Sequence, residues 1–231
     1  MAVNSTSDIE LLLDEYRNEF DRAASSYFAW KVLAQLPTND DQILTALNHN
    51  AGSWILIRHS LQMTFIIALG RIFDANRKSL TIHRFLETCR SNVAQFSKNA
   101  FEERRIKGNH GRRPDYLDDY LQGVYEAIES DFDELLKVAD EQAAIYSANY
   151  KPLRHRIVAH KDAETFLSQS NLYPSTNLVE IEAMLEFLYR IEHVIWAMLV
   201  NGEKRALDFF SFDRKAHVTN DLEDLIRKLP I

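Results

Sequence analysis

The sequence contains a single cysteine, Cys89. One thiol excludes a disulfide within the chain and a zinc site built from cysteines, and this usage fits a reducing compartment such as the cytosol. No activating base stands beside Cys89 in the sequence, so we interpret it as a small buried side chain and not as a nucleophile. The first residues also lack a basic segment followed by an apolar run, so we expect no secretory signal there.

Proline and glycine are scarce, at five and six residues. Apolar residues recur at spacings of three and four along nearly the whole chain, and no segment alternates as a strand would. The 231 residues, 46% of them hydrophobic, are enough to bury one large core. We therefore predict an all-α protein that forms a single helical bundle with additional peripheral helices.

The helix boundaries are predicted from caps and breakers. Ser7 and Asn39 are expected to cap the first two helices, Pro152 to open the helix of its segment, and Asn220 with Glu223 to form a capping box for the last helix. The expected bundle core spans about residues 54–200, with helices 8–36 and 220–229 packed on it. The other predicted helices cover residues 40–48, 53–73, 81–90, 97–107, 114–129, 131–147 and 178–200.

The most apolar of these helices, residues 53–73, resembles a membrane span only in length. Arg58, His59 and Arg71 interrupt it and would be costly in hydrocarbon, so we predict a buried core helix and no membrane partner. For helix 178–200, an apolar stripe that includes Ile181, Leu188 and Ile195 predicts the central core helix.

Phosphate-binding glycine loops, a serine nucleophile elbow and clustered histidine ligands are all absent from the sequence. Nucleotide hydrolysis by a P-loop, ester hydrolysis and metal catalysis are therefore not expected. We predict no cofactor and no metal site.

A net charge of −7 argues against a protein whose whole surface binds nucleic acid, so any RNA contact must lie in a local basic region. The segment "RRIKGNHGRR", residues 104–113, is such a region and contains no acid. It is either a contact that follows the RNA backbone or an ordinary solvated loop. Its basic residues are Arg104, Arg105, Lys107, Arg112 and Arg113.

A second basic stretch, "LRHRIVAHKD" at residues 153–162, places Arg154 and His160 on one face of a helix, about 9 Å apart along its axis. A guanidinium binds phosphate through a planar fork of donors, and an imidazole can exchange a proton near neutral pH. These are the groups required for metal-free RNA cleavage by a neighbouring 2′-hydroxyl. One copy supplies only one acid or base, so two copies at a two-fold axis would complete the site.

Other interpretations of the charged residues remain open at this stage. His160 can be a helix-end histidine, with Arg154 paired to Asp162 or Glu164. Arg156 lies on the side of His160 and either changes its proton affinity, contacts RNA or is solvated.

Two further charged pairs are interpreted as structural. Arg71 and Asp74, at helical spacing, are expected to pair and end their helix. Glu192 and His193 are adjacent on one helix and are not expected to face each other.

The order of Arg154, the polar His155 and then His160 resembles the signature of the HEPN superfamily of helical ribonucleases and nucleotide-binding domains. "KPLRHRIVAHKD", together with "IALGRIFDANRKSL" at residues 67–80, is similar to the AbiU-type branch, which is linked to abortive phage infection. The resemblance implies a bundle that dimerises through the motif helix and cuts RNA without metal. It also implies that Arg154 and His160 are the catalytic pair and that His155 supports them.

In HEPN toxins that are paired with a nucleotidyltransferase antitoxin, the partner modifies a tyrosine two residues after the histidine. Asp162 stands at that position here, so this regulation is not expected. The sequence thus predicts a cytoplasmic, homodimeric, metal-independent endoribonuclease of a phage-defence or toxin system, with an antitoxin protein as a possible partner. The alternatives are a non-catalytic HEPN module that binds nucleotide, RNA or a partner protein, and a plain helical scaffold.

Overall fold

The computed structural model describes residues 6–38, 40–74, 79–154 and 177–228. Within these ranges the chain forms helices and no strand, which confirms the predicted all-α fold. The α-helices are α1 (Thr6–Gln35), α2 (Asp41–His49), α3 (Ala51–Ile72), α4 (Ile82–Ser91), α5 (Lys98–Gly108), α6 (Leu117–Gln122), α7 (Glu129–Asn149), α8 (Lys151–Leu153), α9 (Leu178–Trp196) and α10 (Arg214–Arg227).

The core is built around α1, which packs along α3 and also contacts α4, α9 and α10. Apolar residues at helical spacing on α1, such as Leu13, Phe20 and Tyr27, are buried. Burial of each such side chain contributes roughly 1.5–3 kcal/mol. The Tyr16 ring stacks on Phe85 of α4 at 4.9 Å between centroids, and its hydroxyl donates to the Leu188 carbonyl of α9. α1 is therefore the element that joins the helices on both sides of it.

Helix α9 is the central helix that its apolar stripe predicted. Every residue of the stripe is buried. The α-helix itself ends at Trp196, earlier than predicted, and one π-helical turn continues it over Ala197–Asn201. Gly202, at a φ of 61°, closes the element in the left-handed conformation that favours glycine. The stripe residues are Ile181, Met184, Leu185, Leu188, Ile191, Ile195 and Met198.

The helix predicted over residues 114–129 is wrong for most of its length. Only Leu117–Gln122 is helical, and α7 begins separately at Glu129. The reason is a local cap: the Asp131 carboxylate accepts a hydrogen bond from the Ile128 amide at 2.9 Å. This bond satisfies a free donor at the start of α7 and holds the chain before it extended.

Three predicted helix starts are also corrected. The first helix already includes Thr6, so Ser7 lies inside α1 and is not its cap. Asp40, not Asn39, caps α2, because its carboxylate accepts from the amides of Gln42 and Ile43. The last helix begins at Arg214, so Asn220 lies inside it and the predicted capping box does not form. The residues before Asn220 continue the helix because α10 packs on α1 and α2.

Helix α3 divides into two different halves. Its second half, from Phe65, is buried in the core as predicted, but Ile55 and Leu56 in its first half are 70% and 65% exposed. The prediction of a helix buried along its length is therefore wrong for the first half. Among the described residues, α3 is long and apolar enough to cross a membrane by length and composition, a test that core helices of soluble proteins also pass.

Candidate functional site

Arg154 lies where the chain leaves α7 and α8 and reaches the end of α3. Pro152 stands in the first turn of α8, and the buried Leu153 anchors that turn. The Arg154 guanidinium donates from Nη1 to the Gly70 carbonyl at 3.0 Å and lies 3.6 Å from the Asp74 carboxylate. The side chain remains 23% exposed. The motif arginine is thus fixed by α3 and still reaches solvent.

The Gly70 carbonyl is one of the last four of α3, which have no helical amide to accept from. A cation at this end of the helix also interacts favourably with the helix dipole. A Cβ at residue 70 would stand 2.5 Å from Cδ of Arg154, so glycine lets the end of the arginine side chain lie directly against α3. Gly70 therefore supplies both the acceptor and the room for the arginine.

Asp74 has a different partner from the one predicted. Arg71 extends outward and pairs with Glu19 of α1 at 3.2 Å, while Asp74 pairs with Arg154. The interpretation of Arg71 and Asp74 as one helix-ending pair is therefore wrong. The "GRIFD" block instead supplies two contacts to the motif arginine, through Gly70 and Asp74.

The Tyr146 side chain adds a buried hydroxyl to this cluster. Its ring is 1% exposed and stacks on Phe73 with centroids 5.5 Å apart. The hydroxyl makes no hydrogen bond of normal geometry within the described part of the chain. Burial raises the pKa of Tyr146, and the positive charge of Arg154 opposes that rise. The hydroxyl is therefore neutral, and it lies close enough to the guanidinium for the positive charge to affect its pKa.

Tyr150 connects the two ends of the stretch that holds the motif. Its hydroxyl donates to the Asn177 carbonyl at 2.8 Å and accepts from the Asn177 amide at 3.0 Å. The backbone amide of Arg154 donates to the Tyr150 carbonyl at 2.9 Å. Burial raises the pKa of Tyr150 to about 12, and Glu180 adds to the rise. Residues 154 and 177 consequently lie near one tyrosine.

The remaining residues of the predicted catalytic site lie outside the described residues. These are His155 and His160, and the same holds for Arg156, Asp162 and Glu164. Their roles, including the face shared by Arg154 and His160, stay predictions.

In the basic segment 104–113, two arginines bind backbone carbonyls of their own chain. Arg104 donates to the carbonyls of Gln95 and Leu199, both at 2.7 Å, and Arg105 donates to Val200 at 2.8 Å. Burial lowers the pKa of Arg104. Leu199 and Val200 belong to the π-helical turn that ends α9, so these arginines serve the fold.

The other basic residues of the segment differ among themselves. Arg113 pairs with Glu102 and Asp118, which lie just outside the segment. Lys107 and Arg112 are exposed and form no ion pair with the described residues. Their contact with RNA stays a prediction, and the free positive charge of this surface is smaller than the sequence indicates.

The structure also brings together a pair that the sequence interpretation separated. Glu192 Oε2 lies 2.5 Å from His193 Nδ1 on α9, so the prediction that adjacent residues would not face each other is wrong here. Arg17 of α1 holds the same carboxylate, since its Nε donates to Glu192 Oε1 at 2.8 Å. Among the described residues there is no group of histidine, cysteine or acidic side chains that could hold a metal ion.

Comparison with known protein families identifies a family to which the chain belongs. A family model named HEPN_AbiU2 and described as AbiU2 matches residues 6–227, nearly the whole chain. No curated protein and no solved structure matches.

Proposed function

Because the chain belongs to the AbiU2 family of HEPN proteins, we propose that it is a metal-independent endoribonuclease of a phage-defence or toxin system. Cleavage takes place in a homodimer, where two copies of the motif meet in one cleft. Arg154 clamps the phosphate, His160 exchanges the proton with the attacking or leaving oxygen, and His155 supports them. The protein acts in the cytoplasm, and an antitoxin protein is a further proposed partner.

The observation that carries this proposal is the placement of Arg154. Its guanidinium is held on one side by the Gly70 carbonyl and Asp74, and 23% of the side chain stays exposed. A guanidinium has five donors, so two such contacts leave others for the oxygens of a phosphate. A fixed donor also loses less entropy when phosphate binds than a mobile one would.

The same geometry supports the second candidate, a non-catalytic module that binds nucleotide, RNA or a partner protein. An arginine that bridges the end of α3 and the end of α8 also stabilises the fold, whether or not it touches a substrate. The two candidates therefore differ in chemistry and not in the position of Arg154.

RNA degradation in the presence of a chelator separates the candidates. We expect the purified protein to cleave RNA, and we expect Arg154→Ala and His160→Ala each to abolish cleavage while circular dichroism shows the fold intact. Arg71→Ala is the matched control, because Arg71 lies one residue from Gly70 but pairs with Glu19. Undiminished cleavage by both motif variants would refute the proposal, and a wild-type protein without activity would favour the binding module.

A further inference from the structure

The hydroxyl of Tyr146 differs from those of other buried tyrosines in the described part of the chain. Tyr16, Tyr27 and Tyr150 are as deeply buried, and each of their hydroxyls donates to a carbonyl or a carboxylate. The Tyr146 hydroxyl is buried without a hydrogen bond of normal geometry to the described residues. A buried hydroxyl without a partner costs free energy, and a phenylalanine would make the same ring contacts without that cost. Packing therefore does not account for the hydroxyl.

The ring of Tyr146 is held by two other aromatic rings. Its centroid lies 5.5 Å from that of Phe73, with 21° between the ring planes. It also stacks on Tyr150, at 6.3 Å and 16°. Stacked rings in a packed core have little room to turn, so the position of the Tyr146 hydroxyl is fixed by its neighbours.

Tyr146 and Arg154 lie on one side of a continuous helical path. The Tyr150 amide donates to the Tyr146 carbonyl and the Arg154 amide to the Tyr150 carbonyl, both at 2.9 Å. Residues four apart on a helix share a face, and a long side chain points back toward the helix N-terminus, here from Arg154 toward Tyr146. Both side chains also contact the same end of α3, Tyr146 at Phe73 and Arg154 at Gly70. The hydroxyl and the guanidinium are consequently neighbours, in agreement with the effect of Arg154 on the pKa of Tyr146.

The Arg154 guanidinium contacts the end of α3 through one nitrogen. Nη1 donates to the Gly70 carbonyl at 3.0 Å, and the same nitrogen lies 3.6 Å from Asp74 Oδ2. Nε and Nη2 make no hydrogen bond of normal geometry with the described residues. A planar group that is held at one nitrogen can still turn about that point, whereas a contact at a second nitrogen would fix its plane. Because a guanidinium has donors and no acceptor, the Tyr146 hydroxyl can bind it only through the phenolic oxygen.

We propose that Tyr146 is a positioning residue for Arg154: when a phosphate binds at the exposed side of the guanidinium, the Tyr146 hydroxyl oxygen accepts a hydrogen bond from it and fixes its plane. Gly70 at Nη1 and Tyr146 at a second nitrogen then hold the group at two points, and the remaining donors face the phosphate oxygens. A group with a fixed orientation contributes more to the transition state than one that turns. The effect on the reaction rests on the proposed cleavage by Arg154, but the hydrogen bond itself does not.

Tyr146→Phe tests this role, because it keeps the ring and removes the hydroxyl. We expect kcat for RNA cleavage to fall roughly tenfold, with KM changed by less than about twofold. The melting temperature should equal or exceed that of the wild type, because a hydroxyl without a partner is removed from the core. Tyr16→Phe is the matched control. The Tyr16 hydroxyl donates to the Leu188 carbonyl at 3.1 Å, so its loss should lower the melting temperature and leave kcat unchanged.

Arginine side-chain NMR of the full chain gives a second measurement that needs no RNA cleavage. A guanidinium that is held at two nitrogens rotates slowly about its Nε–Cζ bond, and inorganic phosphate in excess serves as the probe. We expect the Arg154 guanidinium to rotate more slowly in the wild type than in Tyr146→Phe, by roughly tenfold for one lost hydrogen bond. Arg154→Lys identifies the resonance. Arg71, which pairs with Glu19, should rotate at the same rate in both proteins.

The two measurements distinguish a failure of this inference from a failure of the proposed function. Equal rotation of Arg154 in the wild type and Tyr146→Phe would overturn the positioning role. An unchanged kcat of Tyr146→Phe in an active protein, or a lower melting temperature, would overturn it as well. A wild-type protein that leaves RNA intact but shows the difference in rotation would contradict the proposed cleavage alone and support the role of Tyr146.

Discussion

The arginines of the two basic segments have more in common in the structure than their proposed roles suggest. Arg154 donates to a carbonyl at the end of α3, and Arg104 and Arg105 donate to carbonyls at the end of α9. Each therefore satisfies acceptors that a helix leaves free at its C-terminus. They differ in how much of the guanidinium stays accessible. The Arg154 side chain is still 23% exposed beside a carboxylate, whereas Nη1 and Nη2 of Arg104 each donate to a carbonyl. Positive charge in a sequence is thus not equivalent to a surface for RNA.

The largest expected effect on stability concerns Arg104, which binds two carbonyls of its own chain. Arg104→Ala removes two charged hydrogen bonds to the carbonyls of Gln95 and Leu199 and should lower the free energy of unfolding by about 3 kcal/mol. Arg112→Ala, at an exposed residue of the same segment, should change it by less than about 0.5 kcal/mol. Urea unfolding followed by circular dichroism measures both. If the two variants unfold alike, Arg104 does not serve the fold.

A substitution at Gly70 tests how closely the motif arginine is fitted to α3. In Gly70→Ala the new Cβ meets the Arg154 side chain at 2.5 Å, so the arginine must move. The atoms that it meets belong to the far end of a flexible side chain, so we expect a loss of at most about 1 kcal/mol of stability but a strong loss of any RNA cleavage. Gly52→Ala is the control in the same helix, where a Cβ meets nothing within 4 Å, and it should be neutral or stabilising by up to about 1 kcal/mol. If both variants are equally stable, the Arg154 side chain can adopt another conformation without a loss of stability.

Asp74→Asn should have the smallest effect on stability. It tests whether Asp74 orients the Arg154 guanidinium or only contributes to folding. The Asp74–Arg154 pair is partly exposed, so its loss should cost less than about 1 kcal/mol. Cleavage should nevertheless fall, with kcat affected more than KM, because the guanidinium is oriented less well for the transition state. Arg71→Gln, which breaks the neighbouring pair with Glu19, should leave both constants unchanged. An unchanged kcat in Asp74→Asn would remove Asp74 from the site.

Much of the fold was predictable, because helical spacing and caps are local properties of the chain. The helices predicted over residues 81–90 and 97–107 are present within one residue at each end, and the side chains of Thr81 and Ser97 cap them. The errors arose where a distant or competing contact decides the outcome. The Asp131 carboxylate accepts from the Ile128 amide and so starts α7 as a separate helix. Contacts with α1 and α2 extend α10 back to Arg214.

The site was predictable only in part. The spacing of Arg154 and His160 indicates the motif, and the "GRIFD" block belongs to the same resemblance. That Gly70 and Asp74 contact Arg154 could not be read from the sequence, since 80 or more residues separate them. The Glu192–His193 pair was missed because helical geometry alone keeps adjacent side chains apart, and Arg17 of another helix holds the Glu192 carboxylate.

By itself the sequence determined that the chain is helical, which stripe of α9 faces the core and which family the motif resembles, because periodicity and local spacing depend only on neighbouring residues. The tertiary structure alone decided which positive charges are already occupied and which remain accessible. A carbonyl or carboxylate that neutralises an arginine can come from any part of the chain, and only folding brings the two together.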